Sequence, residues 1–197
     1  MRRLMLFTVC VILLTGLSTC QRDLSEYDKL LEPQINVKPD QNMLVIESKG
    51  DPNVAGMVAM KDMFKSFYAL KKHHKNIRPA APRARWFGQF DQSKSEWTGL
   101  WALPLPEDVK TLTELKEIPA GLKIEIWQYG AVAEILHVGP YSAEPPTIQK
   151  LMDYITAQGY TIIGPHEEEY LKGPGMFGKG NPDKYKTIIR YQVAKNM

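Results

Sequence analysis

The chain has 197 residues, of which 44% are hydrophobic and 10% aromatic, so it can bury a core and is not disordered throughout. Its net charge is +3, but Arg2 and Arg3 lie in a segment that we expect to be removed, which leaves 23 basic residues against 22 acidic ones. A nucleic-acid-binding protein normally carries a concentrated basic patch, so this nearly neutral balance predicts no nucleic-acid partner.

Residues 1–20 have the layout of an export signal. Two arginines precede an apolar run over residues 4–14, which is shorter than the roughly 20 residues of a membrane-spanning helix. Residues 17–20 resemble a lipobox, so Cys20 is the predicted lipidation site. We expect an exported protein, lipid-anchored to the cell envelope, in the periplasm or outer membrane of a Gram-negative cell. An ordinary signal peptide cut nearby and an uncleaved anchor are the alternatives.

A tether and a folded domain are predicted to follow. Residues 21–41 contain Pro33 and Pro39 among polar residues, which is typical of a linker, although a short helix over residues 24–31 is also compatible with the sequence. Residues 42–197 are predicted to form one domain with two halves, over residues 42–105 and 118–197.

The first half opens with a strand from Met43. Asp51 and Pro52 then favour the start of a helix whose apolar stripe includes Val54, Met57, Val58, Phe64 and Phe67. Two strands are predicted over residues 85–90 and 96–103.

The second half repeats this order. A strand over residues 122–138, interrupted near Gly130, precedes a helix that starts at Pro145 and Pro146 and ends before Gly159. Strands over residues 160–171 and 184–193 follow. We therefore predict an α+β fold of duplicated β-α-β-β halves with pseudo-twofold symmetry. The helices are expected on one sheet face and a ligand groove on the other.

Three stretches in the second half resemble the GyrI-like small-molecule-binding family, which is also the effector-binding domain of AraC- and MerR-type regulators. Residues 133–141 end in the sequence H-x-G-P-Y, residues 164–171 are similar to its G-x-x-x-E-x-Y-L strand, and residues 186–193 are similar to its closing strand. The resemblance implies binding of small, often cationic or amphipathic molecules. Some members hydrolyse cyclopropane-containing compounds.

Glu168 is the candidate anchor for a cationic ligand, because it matches the glutamate of the family. Strand alternation places His166, Glu168 and Tyr170 on one face and Glu167 and Glu169 on the other. A carboxyl among aromatic side chains suits either cation binding or general acid–base catalysis, and the sequence does not separate them. The alternative is a row of solvated glutamates on an edge strand.

Aromatic side chains are predicted to complete the ligand site. Tyr141 and Tyr170 would supply hydroxyl groups, and Trp86, Trp97 and Trp101 would form the opposite wall, because aromatic faces attract cations. The alternative for the tyrosines is a place in the core or at the rim, and for the tryptophans it is the hydrophobic core or a partner surface.

Three functions stay open on this basis. The first is a membrane-anchored binding protein for a small organic molecule, the second is a hydrolase that uses Glu168 with Tyr170 or Tyr141, and the third is a protein-interaction domain. No metal site and no cofactor are predicted, since the four histidines lack metal-type spacing.

Overall fold

The computed structural model describes residues 23–87, 93–174 and 180–196. The predicted signal segment over residues 1–20, its lipidation site Cys20 and part of the strand predicted over residues 85–90 lie outside these ranges. Within them, no helix combines the length and the apolar character that a membrane crossing requires.

The described residues form nine strands and two α-helices. The strands are β1 (Gln34–Lys38), β2 (Gln41–Lys49), β3 (Arg83–Phe87), β4 (Thr98–Pro104), β5 (Lys123–Trp127), β6 (Gly130–Val138), β7 (Tyr160–Ile162), β8 (His166–Lys172) and β9 (Lys186–Lys195). The helices are α1 (Met57–His73) and α2 (Pro145–Ala157). Short 3-10 turns cover Ser25–Leu31, Lys94–Glu96, Tyr141–Ala143 and Pro182–Lys184, and a π-helical turn, Pro52–Gly56, leads into α1.

All strand pairings are antiparallel, and the main sheet has the order β1-β6-β9-β8-β3-β4-β2-β5, with β7 pairing with β9. The pairing of β3 with β8 lies at the midpoint of this order. Outward from this pairing, each strand on one side has a counterpart at the same distance on the other side: β4 corresponds to β9, β2 to β6, and β5 to β1. The predicted α+β fold of duplicated β-α-β-β halves is therefore confirmed.

The two helices cover the same sheet face. Met63, Phe67 and Leu70 of α1 pack against the first half, and Leu151 and Ile155 of α2 pack against β6 and β9. Helix α2 begins at Pro145, as predicted, because proline needs no hydrogen-bond acceptor for its nitrogen in the first turn.

The apolar stripe predicted for α1 is partly wrong. Val54, Met57 and Val58 are each more than 60% exposed, because the chain over residues 52–56 forms a π-helical turn instead of the first turn of α1. A π-helical turn rotates side chains away from the positions that a regular 3.6-residue period gives them.

The opposite sheet face is also covered, and it contains residues that were predicted to form a tether. Leu30 of the first 3-10 turn is 4% exposed and packs against Leu136 and Ile188. Strand β1 pairs with β6 along its whole length. Residues 25–38 thus belong to the folded domain, and the prediction of a tether there is wrong, because their apolar side chains have a sheet surface to bury.

Candidate functional site

Glu168 lies on β8, at the junction of the two halves. It pairs across the sheet with Ala84 of β3 and Ile189 of β9, which belong to the cores beneath α1 and α2 respectively. Cross-strand partners share a sheet face, so Glu168 lies on the helix-bearing face between the two helices. The groove is predicted on the opposite face, but that face is filled by residues 25–38 and by the ion pairs of Arg190 with Glu167 and Glu169.

A continuous set of hydrogen bonds holds the Glu168 carboxylate, which is 8% exposed. Its Oε1 lies 2.9 Å from Nε2 of His166, and its Oε2 accepts a hydrogen bond of 2.5 Å from the hydroxyl of Tyr170. Nδ1 of His166 lies 2.8 Å from the hydroxyl of Tyr191. His166 with its proton on Nε2 donates a hydrogen bond to Glu168 and accepts one at Nδ1 from the hydroxyl of Tyr191.

The tyrosines around Glu168 remain protonated at neutral pH. Burial, followed by the negative charge of Glu168, raises the pKa of Tyr191 to about 12 and the pKa of Tyr170 well above its usual value. Burial raises the pKa of Tyr141 as well, again with Glu168 as the next cause. The Tyr170 hydroxyl therefore donates a hydrogen bond to the carboxylate, and the Tyr191 hydroxyl contacts His166.

The aromatic residues proposed from the sequence form one chain of ring contacts. The ring centroids are 5.8 Å apart for Trp97 and Trp86, 5.2 Å for Trp86 and Trp101, and 6.0 Å for Trp101 and Tyr170. Tyr170 in turn lies 5.7 Å from Tyr141. The structure thus brings both halves of the chain together around Glu168.

This aromatic chain is part of the protein interior at its centre and accessible at its ends. Trp101 is 6% exposed, packs in the core with α1, and donates a hydrogen bond of 2.9 Å to the hydroxyl of Ser48. The backbone of Gly56 lies against its indole, because a Cβ atom there would lie 2.6 Å from Cζ2 of Trp101. Tyr141, at the other end, is 39% exposed. A buried Trp101 is not the exposed anchor that a protein-docking surface requires.

A short turn positions Tyr141. His137, at the end of β6, contacts the Thr147 hydroxyl at 2.9 Å and the Pro140 carbonyl at 3.2 Å, so it fixes the chain between β6 and α2. Gly139 has a φ of 141°, a region that favours glycine, and a Cβ there would lie 3.3 Å from the His137 ring. The H-x-G-P-Y sequence therefore forms this turn and places Tyr141 beside Tyr170.

Glu167 and Glu169 face the other way, and they are also buried. Their carboxylates form ion pairs with Arg190, which is 1% exposed and also contacts Glu134 at 2.6 Å. Arg85 lies 2.8 Å from Glu167, and a further arginine, Arg83, lies 3.2 Å from Glu169. The three glutamates of β8 are at most 8% exposed, so the alternative of solvated glutamates on an edge strand is wrong.

A second carboxylate, Glu144, was missed by the sequence analysis. It directly precedes Pro145 and is 6% exposed, and its Oε1 has no hydrogen-bond partner among the residues that the structure describes. Burial and then the negative charge of Glu168 raise the pKa of Glu144 to about 9. Its position three residues after Tyr141, at the start of a predicted helix, was the available signal.

A cavity of about 450 Å³ opens beside the Glu168 network. Its lining residues are Trp86, Phe87, Ile163, Gly164, Pro165, His166 and Tyr191. Phe87 and Ile163 are 45% and 58% exposed, which gives the cavity an apolar mouth. Glu168 lies behind His166, one hydrogen bond from the cavity. The volume falls within the range of about 300–1,000 Å³ that is common for small-molecule sites.

The described ranges contain no group of three or more His, Cys, Asp and Glu side chains that could hold a metal ion.

The comparisons with known proteins agree with this architecture. A crystal structure of an uncharacterized conserved protein from Listeria innocua has a TM-score of 0.73 and 23% identity, with 86% of this chain and 98% of that chain covered. A hydrolase from Listeria innocua has a TM-score of 0.72 and 22% identity, with 86% and 97% covered. The C-terminal domain of EcmrR has a TM-score of 0.60 and 14% identity, with 83% and 98% covered. At these identities the likeness establishes the fold alone. No curated protein matches the chain.

The family itself is established from the sequence match. The GyrI-like small molecule binding domain matches residues 31–193, which is most of the chain and includes β1, a strand that the sequence analysis had assigned to a tether. The chain therefore belongs to the GyrI-like small-molecule-binding domain family.

Proposed function

We propose that this protein binds a small organic cation with an aromatic body, between its two halves and beside Glu168. The observation that carries the proposal is the contrast between neighbouring glutamates of one strand. Glu167 and Glu169 are buried against arginines, whereas the contacts of Glu168 are His166 and Tyr170. Within the described residues, Glu168 forms no ion pair with lysine or arginine, so its charge is available to a cationic ligand.

The surroundings of Glu168 support a ligand with an apolar body. Tyr170 and Trp101 stack at 6.0 Å, and Trp86 connects this stack to the rim of the cavity. A cation over an aromatic face gains about 0.5–2 kcal/mol per contact, and this gain adds to the attraction of the carboxylate. A ligand of this class would enter past Phe87 and Ile163 and reach His166, the lining residue that contacts Glu168.

The test is the affinity of Glu168→Gln for ethidium, a fluorescent aromatic monocation, compared with an uncharged phenanthridine. We expect the variant to bind ethidium at least about tenfold more weakly, equivalent to about 1.4 kcal/mol, because the amide carries no charge. Binding of the neutral compound should change little. Glu107→Gln, at an exposed position, is the matched control for loss of one negative charge. Equal ethidium affinity in Glu168→Gln and the unmodified protein would refute the proposal.

A hydrolase is the second candidate, and the arrangement around Glu168 favours it over other enzymes. Oε2 of Glu168 accepts a short hydrogen bond from Tyr170, and Oε1 contacts His166, so proton donors flank a buried carboxylate. One structural neighbour is a hydrolase. Under this alternative, a cyclopropane-containing compound would still bind to Glu168→Gln, but its turnover would stop.

Export and lipid anchoring at Cys20 stay predictions from residues 1–20. They would place the binding site outside the cytoplasmic membrane, where it would receive molecules that enter the envelope.

A further inference from the structure

A row of hydrogen bonds connects the carboxylate of Glu168 to the lining of the cavity. Oε1 of Glu168 lies 2.9 Å from Nε2 of His166, and Nδ1 of His166 lies 2.8 Å from the hydroxyl of Tyr191. His166 and Tyr191 both line the cavity. A ligand in the cavity therefore meets His166 and Tyr191, which connect it to the carboxylate behind them.

Two neighbouring strands hold these three side chains on one sheet face. His166 precedes Glu168 by two residues on β8, and Tyr191 follows Ile189, the cross-strand partner of Glu168, by two residues on β9. Side chains two residues apart on a strand lie on the same face. The rings of His166 and Tyr191 are in edge-to-face contact, with centroids 5.2 Å apart. The regular sheet, and not a loop, thus fixes the geometry of the row.

The chemistry of the three groups sets the direction of each hydrogen bond. An ionised carboxylate only accepts hydrogen bonds, so Nε2 of His166 carries the proton of its contact with Glu168. Nδ1 of the neutral imidazole then has a lone pair, which accepts the proton of the Tyr191 hydroxyl. Burial and the negative charge of Glu168 raise the pKa of Tyr191 to about 12, so this hydroxyl keeps its proton at neutral pH. With its proton directed to His166, the Tyr191 oxygen can accept a hydrogen bond from a ligand.

The other side chains of the cavity lining do not offer such an acceptor. They are apolar except for Trp86 and His166. The indole of Trp86 has an N–H donor only, and the two ring nitrogens of His166 contact Glu168 and Tyr191. Among the lining residues that the structure describes, Tyr191 therefore provides the side-chain acceptor.

We propose that the cavity selects cations whose positive charge is carried on N–H groups, such as protonated amines and amidinium groups, over quaternary ammonium ions. This inference rests on the proposed function and specifies the class of cation. An ammonium N–H donates to the Tyr191 oxygen, Tyr191 donates to His166, and His166 donates to Glu168. Each of these bonds polarises the next, and a hydrogen bond with an ionised partner is roughly twice as strong as a neutral one. A quaternary ammonium ion has no proton to donate, so it gains only the aromatic contacts and the more distant charge.

A second proton on His166 would remove this selectivity. Nδ1 would then donate to Tyr191, the hydroxyl proton of Tyr191 would be directed to the cavity, and the imidazolium would neutralise the charge of Glu168. An amine would lose its acceptor, and both classes of cation would lose the same electrostatic attraction. The relative affinity of the two classes therefore reports which arrangement of protons the protein has.

The experiment compares 9-(aminomethyl)anthracene, an aromatic amine that is protonated at pH 7, with its N,N,N-trimethyl derivative, a quaternary cation with the same aromatic body. Binding to the full-length chain is followed by anthracene fluorescence at pH 7.0. We expect the unmodified protein to bind the amine at least about tenfold more tightly than the quaternary cation. In Tyr191→Phe this ratio of affinities should fall by at least about tenfold, while the affinity for the quaternary cation changes by less than about threefold.

Matched comparisons isolate the Tyr191 hydroxyl. The trimethyl group is bulkier than the ammonium group, but its bulk acts equally in Tyr191→Phe, so the comparison of both ligands in both proteins cancels it. Tyr68→Phe removes an exposed hydroxyl on α1, outside the cavity, and should leave the ratio unchanged. If Tyr191→Phe fails to fold, His166→Leu, which removes the acceptor of the Tyr191 proton, should lower the ratio in the same way.

The outcomes separate this inference from the function on which it rests. If ethidium binding depends on Glu168, the inference is overturned by equal binding of the two anthracene cations, by a failure of the amine to bind, or by an unchanged ratio in Tyr191→Phe. In each of these cases the proposed function stands. If ethidium binding does not depend on Glu168, the proposed function is overturned, and the inference with it.

Discussion

Replacement of Glu144 by glutamine should make the protein more stable at neutral and alkaline pH, in the absence of any ligand. In the folded protein the pKa of Glu144 is raised to about 9, mainly by burial, from a value of 4.5 for a solvated glutamate. Between these two values the folded chain binds a proton that the unfolded chain has released. The contribution of Glu144 to the free energy of unfolding is therefore fully present below pH 4.5 and is lost as the pH rises towards 9.

The magnitude follows from the size of this shift. Each pH unit between 4.5 and 9 removes at most about 1.4 kcal/mol from the free energy of unfolding, so the interval from pH 5.5 to 8.5 removes at most about 4 kcal/mol through Glu144. Glutamine has nearly the same shape and does not titrate. The stability of Glu144→Gln relative to the unmodified protein should therefore increase steadily with pH.

The assay is urea unfolding followed by tryptophan fluorescence at pH 5.5, 6.5, 7.5 and 8.5. The quantity of interest is the difference in unfolding free energy between Glu144→Gln and the unmodified protein at each pH, which cancels the contributions of other titrating groups. Glu107→Gln, whose side chain is exposed, is the control and should show a difference that does not depend on pH. The reasoning is refuted if the difference for Glu144→Gln is also independent of pH.

Two further predictions concern the opposite sheet face. Arg190→Met should lower the free energy of unfolding by about 3–5 kcal/mol in urea denaturation, because it leaves buried carboxylates without their shared cation. The control is Lys150→Met, which removes an exposed ion pair and should lower the free energy of unfolding by at most about 1 kcal/mol. Leu30→Ala should lower the melting temperature through the loss of about 2–5 kcal/mol of packing against Leu136 and Ile188, whereas an N-terminal tether would tolerate it without change.

The sequence alone determined the β-α-β-β order of the two halves and the family. Proline at the first turn of α2, alternation along β6 and the H-x-G-P-Y sequence are local signals, and they act through backbone geometry that neighbouring residues set. Strand alternation also separated Glu168 from Glu167 and Glu169 correctly, because the pairing of β8 with β9 is regular over these three residues and shifts only between Tyr170 and Lys172.

The tertiary structure decided which sheet face bears the site and which residues complete it. Residues 25–38 read as a linker because their apolar side chains are few and irregular, and only the sheet surface around Leu136 and Ile188 makes their burial favourable. The position of Glu144 at the start of a predicted helix likewise did not show that its side chain is buried. Burial, followed by the negative charge of Glu168 on a strand that lies more than twenty residues away along the chain, raises its pKa.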